Sequence, residues 1–395
     1  VPVDDLYYKT GPDGKRVPST RHGRGKRYRV RYIDPNGRER AQLFDKKTDA
    51  EKFDVTTRAD VHRGNYIDPD AGRVTFRNYA EQWRTSQVHA DTTQLQIETL
   101  FRLHVYDVIG DRPIGQIRKT AVQALVRGWQ GRAPRSVLVT YRHVASVFLA
   151  AVADRVIPAT PCVGIGLPEI EPKRVSPLPV ETVAAITEHT AGRYRVLVDI
   201  GAMAGLRQGE AFGLEVGHID FLRRTLRVQQ QLKVVPGQAP FLAPPKTKTS
   251  YRTIPVAQML LDRLAAHLAE HKPVEIPIVD KTGKQPVTRK ARLVVLDEES
   301  SPLRRATYGR AIWRPALRQA GVESGPTYHD LRHFYASALI AHGASATQVQ
   351  ARLGHASTQE TWNTYSHLWP TDDDKTRDAI EAAFAPKPVR LRSVP

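Results

Sequence analysis

Polar and apolar positions alternate over Arg27–Ile33, R-Y-R-V-R-Y-I. Period two sets Tyr28, Val30 and Tyr32 on one face of a strand and Arg27, Arg29 and Arg31 on the other. Asp34-Pro35-Asn36-Gly37 reads as a turn and Arg38–Phe44 as the returning strand. Thr48 is placed to cap a helix running from Asp49 to about Arg63, with Ala50, Phe53 and Val61 among its buried candidates. The period then changes. Phe76, Tyr79, Ala80 and Trp83 fall at i, i+3, i+4 and i+7 and mark a helix. Thr92–Val105, Thr120–Trp129 and Pro134–Ala153 read as three more, with breaks at Gly110, Gly128–Gly131 and Pro158–Pro161. Glu169–Pro179, with three prolines and the adjacent Lys173 and Arg174, is an extended linker. Helices over 180–190 and 193–204 follow, then short strands within Ile219–Gln231 and Tyr251–Val256 with Arg223-Arg224 at a tight turn, and helices from Met259 onward.

These elements predict a multidomain α+β chain. Residues 1–73 form a small β-sheet plus a helix, 74–168 an all-helical domain, 169–179 the linker, 180–385 a mainly helical domain with a small antiparallel sheet, and 386–395 a basic tail. The length of 395 residues and the 41% hydrophobic content allow several cores. Mean hydropathy is -0.43, and no unbroken apolar run of ~18 residues is found, so no membrane span is expected. Val1–Lys15 lacks an apolar stretch of the secretory kind, which points to the cytoplasm. The one cysteine, Cys162, excludes an internal disulfide and a cysteine-based zinc site.

Charge narrows the function further. The formal net charge is +18, shared as +5 over residues 1–75, +3 over 76–172 and +10 over 173–395. Every part is basic, as expected of a chain that meets a polyanion, commonly nucleic acid, along its whole length. Gly14–Ile33 carries eight Lys/Arg and no acid, interleaved with tyrosines, so Arg27, Arg29 and Arg31 are candidate DNA contacts. Lys173 and Arg174 in the linker are two more.

Four places in the last segment carry candidate chemistry. Gly205-Leu206-Arg207-Gln208-Gly209-Glu210 joins two helices and puts Arg207 at a turn. Pro245-Lys246-Thr247-Lys248-Thr249 leads into a strand; on a strand, Lys246 and Lys248 would point the same way. Thr327-Tyr328-His329-Asp330-Leu331-Arg332-His333 opens a helix. Leu353-Gly354-His355 ends one, with Gly354 as its C-cap, and Ser357-Thr358-Gln359-Glu360 starts the next, which carries Tyr365. Taken singly, such an arginine is ordinarily an ion-pair partner and such a tyrosine a core residue. His329 and His333 sit four apart with Asp330 between, a spacing that could bind zinc. Asp reaches less far than Glu as a base, no third ligand is evident and Arg332 brings positive charge, so no metal is expected.

The motifs occur in one order over about 160 residues: Arg207 in G-L-R-Q-G-E, Lys246 in P-K-T, His329 and Arg332 in H-D-L-R-H, His355 in L-G-H and Tyr365 in T-Y-S-H. This order resembles the tyrosine recombinase family, in particular phage-type integrases with an N-terminal arm-binding domain. The resemblance implies a site-specific recombinase that breaks and rejoins DNA through a 3′-phosphotyrosyl intermediate and a Holliday junction, integrating and excising a phage or other mobile element. It implies Tyr365 as nucleophile, Arg207 and Arg332 on the phosphate, His329 and His355 as hydrogen-bond or proton-transfer groups, and a lysine, Lys246 or alternatively Lys248, as the acid for the leaving oxygen. Glu210 would orient its neighbours and His333 would support His329. Residues 1–73 would be the arm-type and 74–168 the core-type DNA-binding domain. The implied partners are double-stranded attachment sites, a homotetramer on DNA, a host DNA-bending factor and an excisionase, with no membrane and no cofactor, in the nucleoid of a bacterial host. A type IB topoisomerase-like nicking enzyme and a non-catalytic DNA-binding regulator are the rival readings; the two extra DNA-binding domains and the L-G-H motif disfavour the first, and the complete catalytic set disfavours the second.

Overall fold

The computed structural model describes residues 3–35, 37–171, 174–322 and 325–369, and the isolated positions 377, 380, 381, 383 and 384. Contacts divide the chain into two units, residues 1–171 and 172–395, with the boundary inside the expected linker. Residues 1–73 and 74–168 thus fall in one unit. Lys173, Asn36 and the tail 386–395 lie outside the described residues.

The first unit opens with β1 (Asp4–Asp5), β2 (Tyr8–Thr10), β3 (Arg16–Pro18), β4 (Tyr28–Ile33) and β5 (Glu39–Phe44), followed by α1 (Lys47–His62). β2 and β3 form a hairpin, and β1-β4-β5 an antiparallel sheet. The apolar face of β4 lies toward α1: Phe53 sits 5.7 Å from the Tyr32 ring and 5.2 Å from the Phe44 ring, and Val30 is buried. Thr48 does not cap α1. The helix starts one residue before it, and Lys46 takes the N-cap position without a side-chain bond. Asp49 in the first turn still favours this start through the helix dipole. Phe53 and Val61 are half-buried rather than buried, since one sheet face is all that covers this helix.

Four helices complete the unit: α2 (Phe76–Ser86), α3 (Asp91–His104), α4 (Lys119–Arg127) and α5 (Pro134–Ala153). Phe76, Phe101 and Phe148 meet at their centre, with ring distances of 5.2 and 6.1 Å from Phe76, and all three are fully buried. Each contributes roughly 2–3 kcal/mol of apolar burial. α5 is long and apolar enough by composition to cross a membrane. Its Val137, Val144, Val147, Phe148 and Ala151 are instead buried in this core, with Pro134 in its first turn.

The second unit begins with α6 (Val180–His189), α7 (Gly192–Ala204) and α8 (Gln208–Phe212). Then come β6 (Ile219–Asp220), β7 (Thr225–Val228), β8 (Gln231–Lys233), β9 (Phe241–Ala243) and β10 (Arg252–Pro255), α9 (Gln258–Glu270), and β11 (Ile276–Asp280) with β12 (Val287–Ala291). α10 (Arg305–Tyr308), a π-turn at Gly309–Trp313, α11 (Arg314–Gln319), α12 (Tyr328–Ala341), α13 (Ala346–Leu353) and α14 (Thr358–Tyr365) follow. The expected single antiparallel sheet is two sheets. One is antiparallel, in the order β10-β7-β6; the other is mixed, β12-β11-β9-β8, with β9 and β11 parallel. β11 and β12 escape a reading of helices only beyond Met259 because Pro277 interrupts one and Arg289 and Lys290 charge the other.

Buried α7 is the spine of this unit. Leu197, Val198 and Ile200 are in the core, and the Tyr328 hydroxyl at the start of α12 donates to the Leu197 carbonyl at 2.8 Å. Gly205 ends α7 in the left-handed conformation, φ 64°, where a Cβ would run into the Tyr335 ring of α12. That close approach turns the chain sharply and delivers Arg207 beside α12.

Candidate active site

Arg207 occupies the N-cap position of α8. Its backbone N–H donates to Glu210 Oε2 and its guanidinium to Glu210 Oε1, both at 3.0 Å. The same guanidinium donates to Ser250 Oγ at 3.3 Å and to the Gly354 carbonyl at 3.4 Å. Glu210 is 2% exposed at the side chain and also receives Arg252 at 2.8 Å. Burial pushes the Glu210 pKa up, but Arg252, then Arg207 and Arg332, bring it below the ordinary carboxylate value. Glu210, expected to orient its neighbours, bonds two arginines, Arg207 and Arg252.

Arg252 was not singled out from the sequence. Its Nε donates to the Arg352 carbonyl at 2.8 Å, and a terminal nitrogen donates to the Ser250 carbonyl at 3.0 Å. A signal was present: Arg252 and buried Ile254 lie two apart on β10, so the arginine sits on the inward face and requires a buried acceptor.

Lys246 and Lys248 are not on a strand. β9 ends at Ala243, and both lysines are exposed in the connection to β10, Lys248 opening a 3₁₀ turn over Lys248–Ser250. The period-two argument that they point alike therefore does not apply. Thr247 Oγ1 bonds Thr249 Oγ1 at 3.0 Å and Ser250 Oγ at 2.9 Å. Because Ser250 also receives Arg207, the lysine-bearing loop is tied to the Arg207 turn.

α12 supplies the next group. Thr327 and Asp330 form a reciprocal cap, the Asp330 carboxylate accepting from the Thr327 N–H at 2.7 Å. Asp330 is thus a helix-capping residue. His329 is exposed, and its ring meets His333 edge-to-face at 4.7 Å. Arg332 is 1% exposed and donates to the carbonyls of Gly205 and Leu353, holding together the turns that carry Arg207 and His355. Burial and nearby Arg207 lower its pKa, yet a guanidinium keeps its proton at neutral pH.

Gly354 caps α13 with φ 63°, and a Cβ there would press on the backbone of Thr249 and Ser250. His355 follows it, buried, with Nδ1 2.8 Å from Thr361 Oγ1. Ser357 caps α14 as expected, but the Glu360 carboxylate bonds the Ala356 N–H rather than closing the box on Ser357. Tyr365 ends α14 and is 1% exposed. Its hydroxyl lies 2.8 Å from His333 Nδ1, and its ring is nearly parallel to that of His355 at 6.4 Å. His333, expected beside His329, thus reaches the phenol as well.

The electrostatics follow from burial among cations. Although His329 is exposed at one edge, the pKa of its ring falls to about 4, first by desolvation where it packs on its neighbours and then by His333 and Arg332. That of His355 falls to about 3, first by burial and then by Arg332 and Arg207. Both rings are neutral at pH 7. Burial raises the Tyr365 phenol to about 12, with Arg332 opposing. Among the described residues no group of three or more His, Cys, Asp or Glu is placed to hold a metal ion. A cavity of about 1000 Å³ opens beside Arg207 and His329. Arg305, Arg310, Arg314 and Arg318 line its other side, all exposed and without an ion pair among the described residues. Their spacing of four to five is a helical stripe that the sequence reading passed over. The ensemble holds several cations against one buried carboxylate and suits a phosphate group.

Residues 175–371 match the phage integrase family. The chain belongs to that family. The prophage phiRv2 integrase of Mycobacterium tuberculosis is 25% identical over 342 residues, covering 84% of this chain and 86% of that protein. A tyrosine recombinase XerC-like protein of Caldanaerobacter subterraneus is 27% identical over 271 residues, covering 65% and 68%. Among solved structures, a fragment of the Tn1549 transposon integrase in complex with transposon right end DNA superposes with a TM-score of 0.66 at 20% identity, over 78% of this chain and 99% of that one. A lambda integrase dimer bound to a COC′ core site gives 0.56 at 15% identity, over 93% and 95%. This integrase-family chain is accordingly a site-specific tyrosine recombinase, and DNA is its partner.

The remaining site candidates lie elsewhere. Arg27, just before β4, is paired with Asp5 at 2.9 Å; on β4, Arg29 is paired with Asp4 at 2.9 Å and Arg31 with Asp4 at 3.2 Å. β1, two residues long, was too short to read from the sequence, and it brings these acids alongside. Arg174 is exposed.

Proposed function

We propose that this recombinase cleaves one DNA strand with Tyr365 and reseals it, on double-stranded attachment sites, as a homotetramer that passes through a Holliday junction. Arg207 and Arg332 stabilise charge on the non-bridging oxygens as the phenol oxygen attacks. His329 and His355 donate hydrogen bonds to the same phosphate from neutral rings. The lysine at 246, with 248 as its alternative, protonates the departing 5′ oxygen. The covalent phosphotyrosine conserves the energy of the broken bond, so resealing needs no nucleotide. The arginine stripe of α10–α11 takes the DNA backbone next to the scissile phosphate.

One observation supports this reading: Arg332 donates to the carbonyls of Gly205 and Leu353, tying the turns that carry Arg207 and His355 to α12, while Tyr365 lies against His355 and His333, and His333 against His329. Residues 1–73 act as the arm-binding module and 74–168 as the core-binding module, in the bacterial cytoplasm at the nucleoid. A DNA-bending host factor and an excisionase direct integration against excision.

The test is a nicked suicide duplex followed by denaturing electrophoresis. The parent chain forms a covalent adduct, in EDTA as well as without it. Tyr365→Phe binds the duplex and forms none. An adduct of full strength from that variant would place the nucleophile elsewhere.

A further inference from the structure

We propose that His333 is the proton acceptor for the Tyr365 hydroxyl during strand cleavage. The inference rests on Tyr365 being the nucleophile and goes beyond it, since nothing in that reading assigns the base. His333 Nδ1 lies 2.8 Å from the phenol oxygen, within reach for direct transfer. Tyr365 is 1% exposed, so bulk water does not serve it. The other imidazoles are otherwise placed. His355 stacks parallel to the Tyr365 ring with its Nδ1 on Thr361, and His329 touches His333 rather than the phenol.

The surroundings fit an acceptor. Burial holds the His333 pKa below the ordinary imidazole value, with Asp330 opposing and Arg332 adding. The ring is therefore neutral at pH 7 and can accept at Nδ1 when Nε2 carries the hydrogen. Around the phenol, Arg332 and Arg207 favour the phenolate, while Glu360 and Asp330 oppose it. With the phenol near pKa 12, the phenolate is scarce at neutral pH and a base has much to contribute.

The step balances without any further reagent. The Tyr365 oxygen–phosphorus bond forms as the phosphorus–O5′ bond breaks. The phenol proton passes to His333 Nδ1, and the leaving O5′ takes a proton from the lysine. Asp330, one turn away, steadies the imidazolium. Resealing runs the same transfers in reverse.

The experiment measures single-turnover adduct formation by the full chain at saturating suicide duplex. His333→Ala and His333→Asn are compared with the parent, each also made with 3,5-difluorotyrosine at position 365 to acidify the phenol. Both variants are expected to bind DNA normally and to react about 10²–10⁴-fold more slowly at pH 7. Their rates should climb with pH where the parent is flat, and fluorination should rescue them far more than it alters the parent. A slow variant indifferent to pH and to fluorination would show that His333 only positions Tyr365, and so would full activity in His333→Asn. A faster variant would show that the bond restrains the tyrosine. Any of these overturns the proposal. An adduct from Tyr365→Phe would instead overturn the nucleophile assignment, so the two failures are distinguishable.

Discussion

Arg27, Arg29 and Arg31 at and just before β4 and Arg207, Arg252 and Arg332 in the second unit present the same chemical group in opposite circumstances. The first set is a third or more exposed and shares Asp4, Asp5 and Glu39. Such pairs are screened by solvent and hold little energy. The second set is 28% exposed at Arg207 and nearly inaccessible at Arg252 and Arg332; Arg207 and Arg252 share the one carboxylate of Glu210, and Arg332 donates to the carbonyls of Gly205 and Leu353. Its charges are fixed by packing before any ligand arrives, and their sum is positive. Preorganised donors of this kind act on charge that develops in a transition state, whereas exposed pairs exchange one ionic partner for another at small cost. Under the proposed function, the difference separates a place for chemistry from a place for binding, though both read as basic sequence.

Removing the shared carboxylate tests the buried side of this comparison and should give the largest effect on stability. Glu210→Ala leaves Arg207 and Arg252 without their counter-charge, and we expect a loss of roughly 3–5 kcal/mol in urea unfolding. A loss below ~1 kcal/mol would put this network in the same class as a surface pair.

Histidine titration gives a medium effect. The pKa of His355 is about 3 in the folded chain, below the unfolded value near 6.5. Its folded pKa is lowered, so above 6.5 it carries no penalty. As pH falls below 6.5 the unfolded chain binds a proton that the folded chain refuses, and stability drops. The slope from this residue is at most about 1.4 kcal/mol per pH unit, continuing toward pH 3. Between pH 6.5 and 5, where most carboxylates stay ionised, the stability of His355→Asn should fall less steeply than that of the parent. Identical slopes would mean that His355 is solvated.

The exposed side should respond least in stability. Asp4→Asn with Asp5→Asn should cost no more than about 1 kcal/mol. The same change frees Arg27 and Arg29, so binding to arm-site duplex should tighten and become more salt-dependent. Unchanged binding at two salt concentrations would remove these arginines from the DNA surface.

What could be read from the sequence follows the same physical division. Residues at chain reversals were legible because caps and left-handed glycines have local signatures: Gly205 and Gly354 set the turns of Arg207 and His355, and Ser357 starts the helix that ends at Tyr365. The central helices were legible from a period of 3.6, with Pro134–Ala153 found to the residue. What failed depends on tertiary partners. Arg252 and the arginines of α10–α11 acquire meaning only against Glu210 or a cavity wall. The P-K-T-K-T run reads as leading into a strand, which leaves Lys246 and Lys248 on or beside a hairpin; Thr247 bonds Ser250 across a 3₁₀ turn at Lys248–Ser250, which puts both lysines beside the strand rather than on it. His333 reaches Tyr365 only because α12 and α14 pack together, a contact between residues 32 apart.

The central claim is that the buried arginine network performs the chemistry and the exposed one does not. The direct measurement is single-turnover adduct formation on a short crossover-site duplex at saturating protein, for Arg207→Lys and for Arg27→Ala with Arg29→Ala and Arg31→Ala. Lysine keeps the charge at 207 but not the two-pronged donor geometry, so that rate should fall at least ~100-fold. The triple variant should react at the parental rate. A near-normal rate for Arg207→Lys, or a comparable loss in the triple variant, would contradict the account.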